Sequence, residues 1–151
     1  MNDIQVKYAT PDDLEALVPL FDAYRVFYEK PSDLKLARSF LTERLQLRES
    51  VILLAVTASG EAVGFTQLYP SFSSVSARRI WILNDLYVAE QARGSGAAQA
   101  LMEAARAHAR FTGAIRLTLS TAITNKRAQR VYESLGYKRD ESYFTYDLQV
   151  S

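Results

Sequence analysis

The residues best suited to chemistry gather in Leu83-Asn84-Asp85-Leu86-Tyr87-Val88-Ala89-Glu90-Gln91-Ala92-Arg93-Gly94-Ser95-Gly96-Ala97-Ala98. An apolar run from about Ile80 to Val88 reads as a strand. Arg93-Gly94-Ser95-Gly96 permits a tight turn, because glycine accepts φ > 0 without steric cost. Beyond it, Leu101, Ala104, Ala105 and His108 fall at i, i+3, i+4 and i+7, the spacing of one helix face. A turn of this kind aims backbone N–H groups and the positive helix end at one point. That makes an anion site, most naturally a phosphate site. The competing reading is an ordinary βα turn in which Gly94 and Gly96 only relieve crowding. A Walker loop would need Gly-Lys-Ser/Thr, and Gly96-Ala97-Ala98 lacks it. The dinucleotide fingerprint fails too: Gln99 stands at the third-glycine position, and the next strand ends Leu119-Ser120-Thr121 without a carboxylate.

At these residues a resemblance becomes specific. Gln91-Ala92-Arg93-Gly94-Ser95-Gly96-Ala97 resembles motif A of the GNAT superfamily of N-acetyltransferases, Gln/Arg-x-x-Gly-x-Gly/Ala. The register Arg93-x-x-Gly96-x-Ala98 satisfies the pattern as well, so individual amide assignments stay open by a position or two. Asn125-x-x-Ala128-x-x-x-Tyr132-x-x-x-Gly136-Tyr137 resembles the family's second motif, in the right order along the chain. Leu83 to Val88 further resembles the Leu-Glu-Asp-Leu-Tyr-Val of polyamine and thialysine acetyltransferase-like members, with Asn84 where many carry glutamate.

The resemblance implies transfer of an acetyl group from acetyl-CoA to a primary amine by direct attack in a ternary complex. The amine would be a small amine, a polyamine, an amino acid or a lysine side chain. It implies that Gln91, Ala92, Arg93, Gly94, Ser95, Gly96, Ala97 and Ala98 hold the pyrophosphate through their backbone. Arg93 either adds charge there or is a solvated loop arginine. Leu86, Tyr87 and Val88 would pair with the pantetheine arm. Asn125 and Ala128 would flank that arm, and Tyr132 would protonate the departing thiolate. All three lie on one helical face, where a cap and two core positions would serve equally well. Asn84 cannot be a base, which leaves Asp85 or an ordered water. Tyr24, Arg25, Tyr28, Tyr69, Asn84 and Asp85 are the acceptor-site candidates, with Tyr143 and Phe144 behind them. The aromatic and acidic members suit a cationic amine, whereas Arg25 suits an acceptor bearing a carboxylate. Two rival functions stay open: a CoA-binding regulatory domain without turnover, and a nucleotide-binding βαβ module. By the resemblance the protein is a homodimer.

Composition narrows the alternatives. The chain has 151 residues, suited to one domain spanning 1–151. With 18 basic and 17 acidic residues, the net charge of +1 makes no electrostatic case for nucleic acid or membrane. No cysteine is present, which removes disulfides, thiolate zinc sites and a cysteine nucleophile. One histidine, His108, is too few for a histidine metal cluster, and its place on a helix suggests packing. No metal is expected. The N-terminus lacks a signal-peptide pattern and no apolar run is long enough to span a bilayer, so a cytoplasmic location is expected.

The elements that must position these groups follow in order. Ile4 to Tyr8 alternates as a strand does. Thr10-Pro11-Asp12-Asp13 starts a helix that Pro19 should kink or split. Pro31-Ser32-Asp33 caps a second helix to about Gln46, with Leu34, Ala37, Leu41 and Leu45 inward. Val51 to Val56 is apolar on both faces, as a central strand is, and Ala62 to Tyr69 returns antiparallel. Pro70 to Ser76 reads as a mobile polar loop. The strand from Ile80, motif A and its helix to Phe111 come next. Ile115 to Leu119 then makes a parallel crossover, and a short helix runs from Asn125 to Gly136. Tyr137 to Gln149 has strand-like alternation. The fold class is α/β. Its resemblance implies a mixed, mostly antiparallel GNAT sheet with splayed parallel strands 4 and 5, flanked by helices.

Overall fold

A computed structural model describes residues 3–151, which separate into two units, one ending at Leu119 and the other running Ser120–Ser151. The first unit holds a five-stranded sheet in the order β1-β2-β3-β4-β5. Its strands are β1 (Gln5–Tyr8), β2 (Val51–Val56), β3 (Ala62–Ser73), β4 (Arg78–Val88) and β5 (Leu117–Thr118). The first four pair antiparallel, and β4 pairs parallel with β5.

Helix α1 (Leu14–Phe27) follows a 3-10 turn, Pro11–Asp13, closed by a capping box between Thr10 and Asp13. The helix is not split at Pro19: it runs unbroken from Leu14 to Phe27. Pro19 is exposed, and the helix is held around it by buried Leu17, Val18, Leu20 and Phe21. Helix α2 (Leu34–Gln46) is capped by Asp33, whose carboxylate accepts from Leu36 N at 3.0 Å. Ala37 and Leu41 are buried as expected, but Leu34 is 55% exposed, because a first-turn residue lies beyond the reach of the packed face. One core joins Leu17, Phe21 and Leu41 to Ile52, Leu54 and Phe65, so α1 and α2 cover one face of the sheet. Helix α3 (Ala97–Phe111) covers the other, with Leu101 packed against Gly64 on β3.

The loop expected from Pro70 is strand up to Ser73: Pro70, Ser71, Phe72 and Ser73 pair with Trp81, Ile80, Arg79 and Arg78. Here β3 has outrun β2, whose register ends at Val51↔Leu68, so Pro70 lacks an N–H where one neighbour is already missing. The strand predicted over 115–119 shrinks to Leu117–Thr118.

In the second unit, α4 (Lys126–Ser134) ends before Gly136, whose φ of 97° is the left-handed stop that glycine favours. No strand forms over 137–149. Tyr143, Phe144, Tyr146 and Leu148 are exposed there, and alternation without ladder hydrogen bonds makes no strand.

Candidate active site

The parallel strands of the first unit touch only at Trp81↔Leu117 and Ile82↔Thr118. From Leu83 to Val88, therefore, β4 has β3 on one side and no strand on the other. That is the splay. An irregularity of register sets which groups face the opening. Leu68 pairs with Leu83 and Gln67 with Asp85, leaving Asn84 as an extra, unpaired residue. Upstream, Trp81 N–H donates to Arg116 O beside β5 at 3.1 Å. Downstream, Ala89 N–H donates to Val63 O beyond the start of β3 at 2.8 Å. Alternation back from Ala89 turns the amides of Leu86 and Val88 toward the opening. Without the extra residue they would face β3.

Motif A sits at the end of this strand. Glu90–Ala92 form a 3-10 turn, and Gly94 and Gly96 adopt φ of 83° and 89° before α3 begins. Glycine is needed for those angles. No atom lies within 4 Å of a Cβ built on either residue, so the space above the loop is open. Ser95 N–H donates to Ala92 O, and Ala97 N–H reaches Ser95 Oγ only at 3.4 Å. The amides of Gly94, Gly96, Ala98 and Gln99 have no acceptor among the described residues. A loop of unpaired N–H groups at the start of a 15-residue helix fits a diphosphate. Arg93 turns back, its Nε donating to Val88 O at 3.3 Å, while Gln91 stays exposed and Ala92 and Ala97 are buried.

On the α1 face, sequence-distant polar groups converge. Asp85 is 2% exposed. Its Oδ2 accepts from Gln67 Nε2 at 2.5 Å and its Oδ1 from Asn84 Nδ2 at 2.8 Å. Gln67 is held in turn by Ser50, whose Oγ donates to Gln67 Oε1 at 2.8 Å. Thr66 Oγ1 donates to Asp85 O at 2.7 Å. Burial pushes the Asp85 carboxyl above its ordinary value, against hydrogen bonds from Asn84, Gln67 and Tyr24 that favour the charged form. Tyr24 Oη donates to Asn84 O at 3.3 Å. Burial first, then the Asp85 charge, push the Tyr24 phenol far above its usual range. The Tyr69 phenol is pushed up to about 12 for the same two reasons, with Arg44 opposing.

Of the acceptor-site candidates, Tyr24, Tyr69 and Asp85 thus share one neighbourhood. Tyr28 is 60% exposed with its ring 5.1 Å from that of Tyr24, Asn84 is exposed, and Arg25 is half-buried with no ion pair among the described residues. Sequence reasoning missed Gln67 and Ser50. Their only signal was two polar residues beside apolar strands, and nothing local ties them to Asp85.

In the second unit, Asn125 caps α4, its Oδ1 accepting from Ala128 N–H at 3.1 Å. Ala128 and Tyr132 are half-buried, and the Tyr132 ring lies 6.1 Å from that of Tyr137. Lys126, Arg127, Arg130, Lys138 and Arg139 are all exposed. Among the described residues no group of three or more acidic or histidine side chains is placed to hold a metal, and no helix is long and apolar enough to cross a membrane.

A family model described as "Acetyltransferase (GNAT) family" matches residues 15–137. The chain is 48% identical to the uncharacterized N-acetyltransferase YhfO of Bacillus subtilis, covering 97% of this chain and 98% of that protein. It is 32% identical to a probable acetyltransferase of Haemophilus influenzae, over 92% and 93% of the two chains. A crystal structure of a probable acetyltransferase superposes with a TM-score of 0.93 at 46% identity, covering 97% of this chain and 98% of the other.

Proposed function

Given that the chain belongs to the GNAT family of acetyltransferases, enzymes that take acetyl groups from acetyl-CoA, we propose that it acetylates a small cationic primary amine by direct attack in a ternary complex. The observation that carries the donor side is the set of unpaired amides over Gly94 to Gln99 beside the open edge of β4. Bound acetyl-CoA supplies an activated thioester carbon. The amides at Gly94, Gly96, Ala98 and Gln99 grip the pyrophosphate. Leu86 and Val88, whose N–H groups turn to the opening, pair with the pantetheine amides, with Tyr87 between them. One of these N–H groups polarises the thioester carbonyl, a contribution of roughly 3 kcal/mol. Asn125, Ala128 and Tyr132 carry the family's second motif on α4, and the resemblance assigns them to the pantetheine arm and the thiol. Tyr132 gives its phenolic proton to the leaving thiolate.

On the acceptor side a lysine-like amine is protonated at neutral pH, and removing its proton costs about 5 kcal/mol. Asp85 is the base. Support comes from its burial, its raised carboxyl pKa, and the tyrosines around it that suit a cation. Within this class, the polyamine and thialysine type is favoured by Leu83-Asn84-Asp85-Leu86-Tyr87-Val88. The reading also takes residues 1–151 as one cytoplasmic acetyltransferase domain acting as a homodimer. Light scattering tests the dimer.

The central experiment is thiol release from acetyl-CoA against polyamines, amino acids, aminoglycosides and lysine peptides, with calorimetry of CoA beside ATP and NAD. Turnover on a cationic amine, with CoA bound most tightly, is expected. Tighter binding of ATP or NAD than of CoA would overturn the donor assignment.

A further inference from the structure

We propose that Ser50 and Gln67 are positioning residues for Asp85: they hold one carboxylate oxygen against a fixed amide donor and leave the other to take the acceptor amine's proton. This rests on the reading of Asp85 as base. Asp85 is 2% exposed and forms no ion pair among the described residues. A buried carboxylate without a cation depends on neutral donors to carry its charge. Two amides fill that role at different oxygens. Gln67 Nε2 lies 2.5 Å from Oδ2, and Asn84 Nδ2 lies 2.8 Å from Oδ1.

The two amides differ in freedom. Gln67 is fully buried and stands opposite Asp85 in the β3–β4 register. It also stands opposite Ile52 on β2, and Ser50, two residues before Ile52, falls on the same face. From there Ser50 Oγ donates to Gln67 Oε1 at 2.8 Å. A primary amide has one donor end and one acceptor end. With Oε1 taken by Ser50, the NH2 end faces Oδ2; turned over, Gln67 would set its carbonyl against the carboxylate. Thr66, the residue before Gln67, donates from Oγ1 to Asp85 O at 2.7 Å, so β3 holds both the backbone and the side chain of Asp85. Asn84, by contrast, is exposed, and its amide can turn aside. Oδ2 is closed to a proton while Gln67 donates to it, so Oδ1 is the oxygen that takes one. In that step an ammonium N–H bond breaks, the proton joins Oδ1, and the nitrogen lone pair is freed for attack. Asp85 ends neutral. The other titratable groups whose charge bears on this carboxylate are Tyr24 on α1 and Tyr69 on β3, with Tyr28 beside Tyr24 and Arg44 on α2 acting on Tyr69.

The test follows Asp85 by carboxyl carbon NMR in the protein without substrate, its resonance identified by its absence in Asp85→Asn. Gln67→Met keeps the length of the side chain and removes the donor, so the Asp85 midpoint should rise by about one to two pH units. Ser50→Ala leaves the amide in place but free to turn over, and should raise the midpoint by roughly half a unit. Ser50→Thr keeps a hydroxyl and should restore the native midpoint. With acetyl-CoA and the amine panel, the acid limb of the thiol-release profile should move upward in step, while CoA affinity by calorimetry holds. An unmoved midpoint in both Gln67→Met and Ser50→Ala overturns the proposal. Should Gln67→Met fail to fold, an unmoved midpoint in Ser50→Ala does so alone. A midpoint as displaced in Ser50→Thr as in Ser50→Ala overturns it too, because the hydroxyl would then not be what counts. Midpoints that rise while the acid limb stays in place uphold the grip of Ser50 and Gln67 on Asp85 and sink the reading of Asp85 as base.

Discussion

Gly64 lies under the junction of β3, β4 and α3, and replacing it with alanine tests how the donor site is assembled. A Cβ there would sit 2.8 Å from Tyr87 O, 3.3 Å from Val88 Cγ2 and 3.4 Å from Leu101 Cδ1. The last two contacts yield with small side-chain shifts. The first is backbone and cannot rotate away, so β4 must shift at the residues whose amides face the opening. Overpacking of this kind costs about 1–3 kcal/mol. Alanine recovers part of that by restricting the unfolded chain, about 0.4–1 kcal/mol. A net loss of about 1–2 kcal/mol then lowers Tm by roughly 2–8 °C for a chain of this size. If the shift also weakens one hydrogen bond to CoA, worth about 0.5–1.5 kcal/mol, Kd rises roughly 2- to 13-fold. Differential scanning calorimetry reads the first effect and titration calorimetry the second. Gly60→Ala is the control. Its φ of 88° strains alanine, but nothing lies within 4 Å, so stability should fall while CoA affinity holds. A Gly64→Ala protein with native Tm and native Kd refutes the argument that close approach at Gly64 positions the β4 edge.

Two further predictions concern pH. Burial raises the folded-state pKa of Asp85, so folding favours its protonated form; that stabilisation is complete below the unfolded value of 3.8 and is lost as pH rises through the folded value. Asp85→Asn should therefore gain stability relative to wild type between acid and neutral pH in denaturant titrations. A gap that stays constant with pH would mean the carboxyl is not perturbed. His108 has the opposite sign. It is buried against Trp81, its Nδ1 lies 2.8 Å from Tyr8 Oη, and its Nε2 has no partner among the described residues. Burial, then Arg79, depress its pKa below 6.5, so the stability it contributes above that value is lost as pH falls through the folded value. His108→Leu should flatten that stretch of the stability curve. A slope as steep as wild type would place its origin elsewhere.

What the sequence made legible was written between near neighbours. Thr10 with Asp13, Asp33 with Leu36, and Gly94 with Gly96 each state a cap or a turn within a few residues, and each is found in place. Pro70 misled because its missing N–H matters only where two neighbouring strands compete for it, and β2 has ended by then. The grip of Ser50 and Gln67 on Asp85 spans three strands, and no local pattern encodes it. The same holds for the close approach at Gly64.

The extra residue at Asn84 unites these observations. On an uninterrupted β4, Asp85 would share backbone parity with Trp81 and Leu83, and its amide would turn to the β5 side. The inserted residue reverses that parity, so Leu86 and Val88 present amides to the opening while Ala89 returns to the β3 side. Side chains are re-aimed by the same step: Asp85 and Tyr87 join Phe65, Gln67 and Tyr24 on the α1 face. The open edge of β4 and the buried carboxylate beside it are thereby set by one irregularity in one strand. Asn84 needs no ionisable group for this task, because its backbone supplies the irregularity and its amide satisfies Asp85 Oδ1.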